Sequence, residues 1–232
     1  MIALIVCALF FAVSPRAYQK EVTTNEIFLM WKKSEVPFYI ARHGTPLFSH
    51  VALKKAVEHS FSVWNKIGCD APKLAFVSFT DEPQASLNGK NSIIFRNDSW
   101  DPEVSGALAL STISAVVGTG EIFSADIEFN AKEFVFSIPG AGTAALHDFE
   151  NTLIHELGHV LGLDHPEMGG YGEQSFSTMY GSAPVGELIK RSLDTDDIIG
   201  LCAIYAADKT GDAYEANAQT AESSGCNIMP KR

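Results

Sequence analysis

The eleven residues His155-Glu156-Leu157-Gly158-His159-Val160-Leu161-Gly162-Leu163-Asp164-His165 constrain this chain more than any other feature. Two histidines four apart on a helix stand one turn above each other on the same face, so both imidazoles reach a single ion at about 2.0–2.1 Å. Gly162 is free to take a positive φ, which predicts a sharp turn that swings His165 back toward the same ion as a third ligand. Three neutral imidazoles leave the fourth position of a tetrahedral zinc ion to water, as in catalytic sites, and the chain has no Cys-x-x-Cys pair of the closed structural kind. Glu156 adjoins the first ligand, placed to take a proton from a zinc-bound water as general base and to return it to a leaving amine. Five fixed positions at this spacing match by chance on the order of 10⁻⁵ times per chain of this size.

Composition bounds what surrounds that run. With 232 residues and 46% hydrophobic content the chain can bury one ordinary core. Its formal charge of −11, from 17 basic and 28 acidic residues, gives no electrostatic grip on phosphate. Nucleic acid and any specific membrane lipid are therefore not expected partners, and a monomer is expected. The charge reads as surface solubility.

Ile2 to Val13 is uncharged and almost wholly apolar, too short at 1.5 Å per residue to cross about 30 Å of hydrocarbon as a helix. Residues 1–17 are expected to be a secretory signal peptide, a mis-assigned start or an uncleaved anchor being the alternatives. Export, to a periplasmic or extracellular destination, would leave Cys69, Cys202 and Cys226, hence one bridge and one thiol. Cys69 with Cys202 and Cys202 with Cys226 both remain open. Residues 18–33 form a short N-terminal segment, and 207–232 read as a flexible polar tail without hydrophobic period.

Between them lies an alternation of strand and helix patterns. Strands are expected at Val36–Ala41, Leu74–Phe79, Asn91–Phe95, Ala107–Val117 and Ile122–Asn130. Ser49 opens a helix with Leu53, Val57, Phe61, Trp64 and Ile67 along one stripe. A second helix is expected from His147 to Leu161, ended at Gly162, and a third from Thr195 as N-cap. The fold class is therefore α/β (α+β), a mixed sheet with three main helices.

At this point the sequence resembles a known family. His155 to His165 resembles the extended zinc signature of the metzincin metallopeptidases, and Ser177-Thr-Met-Tyr-Gly181 resembles their Met-turn, with Met179 as the floor beneath the ligands. The finer resemblance is to the matrixin branch of small bacterial secreted enzymes. It rests on Val36–Ile40 with the helix ending at Trp64, on Thr119 to Asn130, and on Asp196-Asp-Ile-Ile-Gly-Leu201 with Tyr205, and it spans residues 34–206. It implies a metzincin-like twisted sheet, with a zinc cleft between an upper sheet-and-helix subdomain and a small C-terminal one. It also implies a zinc-dependent endopeptidase acting on protein or peptide substrates, calcium being allowed but unplaced.

Several features depart from relatives within the metzincins. Pro166 is shared with serralysins, yet no Gly-Asp nonapeptide repeats follow. Tyr180 lies one residue after Met179, not two, and is not counted as a ligand. Ala17 to Glu35 has no cysteine, so a thiolate switch there is not expected.

The resemblance further implies that the strand carrying Ala109 and Leu110 is the sheet edge for an extended substrate, and that Tyr180 to Gly186 walls the pocket beyond the cut. The other four histidines, His43, His50, His59 and His147, read as surface, cap or first-turn residues. Asp164 is a candidate to orient a ligand ring, or else a solvated loop acid. The alternative function is a zinc-holding binding or inhibitor-like module without useful activity.

Overall fold

Unbroken apolar runs and alternating ones both become strands, and their burial decides where each sits. The computed structural model describes residues 18–43, 48–81, 89–138, 146–166, 177–206 and 226–227; the expected signal peptide and most of the expected tail lie outside these. The large sheet is built from β2 (Glu35–Ala41), β3 (Lys73–Thr80), β4 (Asn91–Phe95), β5 (Ala109–Ala115), β6 (Ile122–Phe129) and β10 (Cys226–Asn227), in spatial order β10-β5-β6-β4-β2-β3. β4 and β6 at its middle are the most buried, and the polar side chains they bury are bonded across the strands: Asp126 accepts from the Ser92 amide and Asn91 from the Ala125 amide, both at 2.8 Å. Pairing from β3 through β2 and β4 to β6 is parallel, and β5 runs antiparallel to β6. The sheet is mixed, as the sequence predicts.

Helix α1 (His50–Asn65) lays Leu53, Val57, Phe61 and Trp64 into the core, with the Ser49 hydroxyl accepting from the Ala52 amide as N-cap. Helix α2 (Phe149–Val160) is buried along its whole length. Phe149 at its start stacks among Phe95 and Phe129, with ring centroids 4.8–5.6 Å apart. The Trp64 indole donates to the Ile154 carbonyl at 2.9 Å, which fixes α1 across α2.

Two helix starts differ from expectation. The second helix begins at Phe149, not His147, because His147 and Asp148 form a short strand β8 parallel to β7 (Phe136–Ser137), and the Asp148 carboxylate caps the helix. Helix α3 (Thr195–Tyr205) is capped by Asp194, not Thr195. The Asp194 carboxylate accepts from the first turn while Asp197 reaches back to the Asp194 amide, a reciprocal pair that Thr195 has no partner to form.

Residues 18–33 are packed into the domain. β1 (Gln19–Lys20) pairs antiparallel with β9 (Leu163–Asp164), and the Glu21 amide donates to Gly162 O at 2.9 Å. The Trp31 indole donates to Val160 O and the Tyr205 hydroxyl to Leu161 O, satisfying carbonyls that the end of α2 would otherwise leave bare. Of the two open pairings, Cys69–Cys202 is the bridge, tying the loop after α1 to α3. Among the described residues the tail makes a contact that its composition does not suggest. Cys226 and Asn227 pair antiparallel with Ser111 and Leu110 of β5.

Candidate active site

Helix α2 supplies His155, Glu156 and His159, all fully buried. Gly162 follows at φ 94°, and a Cβ there would lie 2.4 Å from Leu29 O, so both the turn and the close approach of the chain require glycine. The turn delivers β9 and then His165. The three Nε2 atoms converge, at 3.0 Å for His155–His159, 3.0 Å for His155–His165 and 3.3 Å for His159–His165.

The 3.0 Å separation of His155 from His159 is not an ordinary hydrogen bond. His155 Nδ1 donates to Thr178 O at 2.6 Å and His159 Nδ1 to Leu163 O at 2.7 Å, which fixes both tautomers with a bare lone pair on Nε2. Acceptors so crowded call for a shared cation, and a tetrahedral ion at about 2.0–2.1 Å would hold its ligands about 3.3 Å apart. The three histidines therefore form a group able to hold a metal ion. Burial, then the neighbouring imidazoles, then Lys190 hold the His155 ring far below its ordinary pKa, so it stays neutral and ready to coordinate. Burial does the same for His159 and, to a smaller degree, for His165.

Glu156 has two unlike oxygens. Oε2 accepts from the Ser111 hydroxyl at 2.7 Å, whereas Oε1 meets no hydrogen-bond partner among the described residues. In the metal-free chain burial pushes its carboxyl up to about 8, against the opposing pull of the Ser111 hydrogen bond.

The Met-turn comes to the site through α3. Asp197 accepts from the Thr178 amide at 2.9 Å and the Met179 amide at 3.2 Å, and Thr178 is the residue whose carbonyl orients His155. Met179 lies against Gly158 on α2, where a Cβ would sit 2.2 Å from its sulfur and 3.1 Å from the Trp64 ring. A helical Gly→Ala exchange ordinarily gains up to about 1 kcal/mol, but this overlap has nowhere to go because Met179 is buried. Gly158→Ala is therefore expected to lose about 1–3 kcal/mol in chemical denaturation and to weaken zinc binding. A variant as stable as the parent would show that Met179 moves freely.

The structure thus brings together His155, His159, His165, Glu156 and Met179. Tyr180 is half-buried, its ring 5.9 Å from Lys190 Nζ in the loop beside the site. Ala109 and Leu110 lie in β5, but that edge is not open, since β10 pairs at Leu110. Asp164 acts on backbone: its carboxylate accepts from the His165 amide at 2.6 Å. His59 pairs with Glu150 at 3.2 Å, His50 lies 3.2 Å from Arg42 O, and His147 is in β8, all apart from the triad. Sequence reading missed Ser111, Thr178 O, Leu163 O, Asp197 and the fully buried Lys190, which donates to Ser182 O and pairs with Glu187.

The sequence profile of the matrixin family matches residues 30–206. The chain belongs to the matrixin family. It is similar to karilysin of Tannerella forsythia, 26% identical over 204 residues, which cover 85% of this chain and 39% of that protein. It is also similar to the "Probable matrix metalloproteinase 095L" of Invertebrate iridescent virus 3, 26% identical over 160 residues, covering 68% of this chain and 38% of the relative. The chain spans about two fifths of the length of these curated relatives. Family membership implies zinc dependence, and the triad in this matrixin chain suits that ion in donor type and spacing, and in tautomer at His155 and His159.

Proposed function

We propose that this chain is a zinc-dependent endopeptidase that hydrolyses peptide bonds in extended segments, with His155, His159 and His165 as ligands and Glu156 as general base. The observation that carries the reading is the convergence of three Nε2 atoms, those of His155 and His159 with bare lone pairs, beside a buried carboxylate with one unpartnered oxygen. A zinc ion held there would supply a Lewis acid for the scissile carbonyl and an acidified water. Glu156 would take the proton of that water on Oε1 and return it to the leaving amine, while Thr178 O and Leu163 O hold the imidazoles in place. Secretion belongs to the same reading, supported by the apolar stretch Ile2–Val13 and by a disulfide that suits an oxidising compartment.

Profiling cleavage of a peptide library by the purified protein, with and without a chelator and with zinc restored, tests the proposal. Cleavage that disappears on chelation and returns with zinc is expected. A zinc-holding module without activity would cleave nothing in any arm.

The same reading places an extended substrate against β5, with Ala109 and Leu110 in the pairing and Tyr180 beside the pocket beyond the cut. Substrate and β10 exclude one another at Leu110 and Ser111. A chain ending at Ala206 is accordingly expected to show a KM severalfold below that of the full chain on the same peptide. Equal KM values would mean that the substrate does not use this edge.

A further inference from the structure

We propose that Ser111 is a positioning residue that fixes which oxygen of Glu156 handles the proton, an inference that rests on the peptidase reading above. Ser111 lies in β5, opposite Ile127 of β6, and is buried. Glu156 lies on α2, 45 residues away in sequence. The serine oxygen is 2.7 Å from Glu156 Oε2 and 3.3 Å from the Glu156 backbone carbonyl. A hydroxyl has one proton to give, and the shorter contact to a carboxylate is the stronger claim on it.

A glutamate's terminal torsion is broad and roughly two-fold, so its two oxygens exchange by rotation unless one is held. Here one is held and the other meets no partner among the described residues. Ser111 thereby divides the carboxylate into an anchored oxygen and a working one, and saves the ordering that a freely turning base would need at each turnover. The strand that carries this anchor also carries, on its backbone, the pairing with Cys226. The side chain thus joins the base to the strand against which a substrate would lie, which places the reacting bond and the working oxygen in one frame.

The test uses the zinc-loaded full chain as parent, S111A, which removes the hydroxyl, and S111T, which keeps it, each also made in a Glu156→Gln background. S111A is expected to keep its zinc by elemental analysis, to keep KM, and to lose about 10- to 100-fold in kcat, the usual range for a group that orients a working side chain. S111T is expected to recover most of that loss. In the Glu156→Gln background S111A should cost nothing further, because the group it positions is no longer a base.

Unchanged kcat in S111A, a loss confined to KM, no recovery in S111T, or an undiminished loss beside Glu156→Gln would each overturn the assignment. If the parent itself cleaves nothing, the peptidase reading has failed. The positioning role is then read from crystal structures of zinc-loaded parent and S111A. A Glu156 carboxylate as well ordered and in the same place without the hydroxyl would overturn it, and a turned or disordered one would support it.

Discussion

Glu156→Ala is expected to retain zinc and to lose about 10²–10⁴-fold in kcat, the range that general-base catalysis contributes. Zinc retention follows because the ligand geometry does not depend on this side chain. His155 and His159 are oriented by Thr178 O and Leu163 O, and His165 is delivered by the turn at Gly162. Elemental analysis beside steady-state kinetics reads both halves, and hydrolysis at the parent rate would remove Glu156 from the mechanism.

Glu156→Gln adds a test of the electrostatics in the metal-free chain. Burial raises the folded-state pKa of Glu156 from 4.5 to about 8, so the folded chain prefers this group protonated. Its contribution to stability is complete below the unfolded value and is lost as pH rises from 4.5 through about 8. Metal-free Glu156→Gln should therefore gain stability on metal-free parent as pH is raised from 5 to 8. A constant difference over that window would mean that the buried carboxyl does not titrate there.

What was legible in the sequence follows from where the determining chemistry sits. The helix stripe of Leu53, Val57, Phe61 and Trp64 and the cap at Ser49 were readable because apolar periodicity and cap side chains announce themselves locally. The triad was readable because an i, i+4 pair and a glycine turn are also local devices. The orienting groups were not, since Thr178 O and Leu163 O are backbone carbonyls that any residue would supply. Ser111 is one small residue in an alternating strand, and only the packing of β5 on α2 gives it a meaning. At the third helix two adjacent residues were both good caps. The choice fell to Asp194 through its reciprocal bond with Asp197, three residues on. The disulfide was open between two pairings because three cysteines carry no record of which ends the fold brings together.

Asp197→Ala is expected to cost about 3 kcal/mol or more and to weaken zinc binding about 10- to 100-fold, although the residue touches no ligand. Its buried carboxylate accepts from the amides of Thr178 at 2.9 Å, Met179 at 3.2 Å and Asp194 at 2.8 Å, and from the Ser177 hydroxyl at 3.3 Å. Alanine leaves these donors without an acceptor in a site closed to water, and each orphaned group costs about 1–3 kcal/mol. Burial lifts the carboxyl of Asp197 above its ordinary range despite these donors, so the charge itself is a cost that they only partly offset. Asp197→Asn removes that charge and keeps one accepting oxygen, but turns an NH₂ toward the remaining donors, and should fall between parent and alanine. Denaturant titration and zinc competition with a chelator of known affinity separate the two effects. A loss of stability with unchanged zinc affinity would mean that the segment carrying Thr178 and Met179 is held elsewhere. Loss of both would mean that the orientation of His155 is set from α3, through a carboxylate that accepts from the amide of the residue whose carbonyl holds the imidazole.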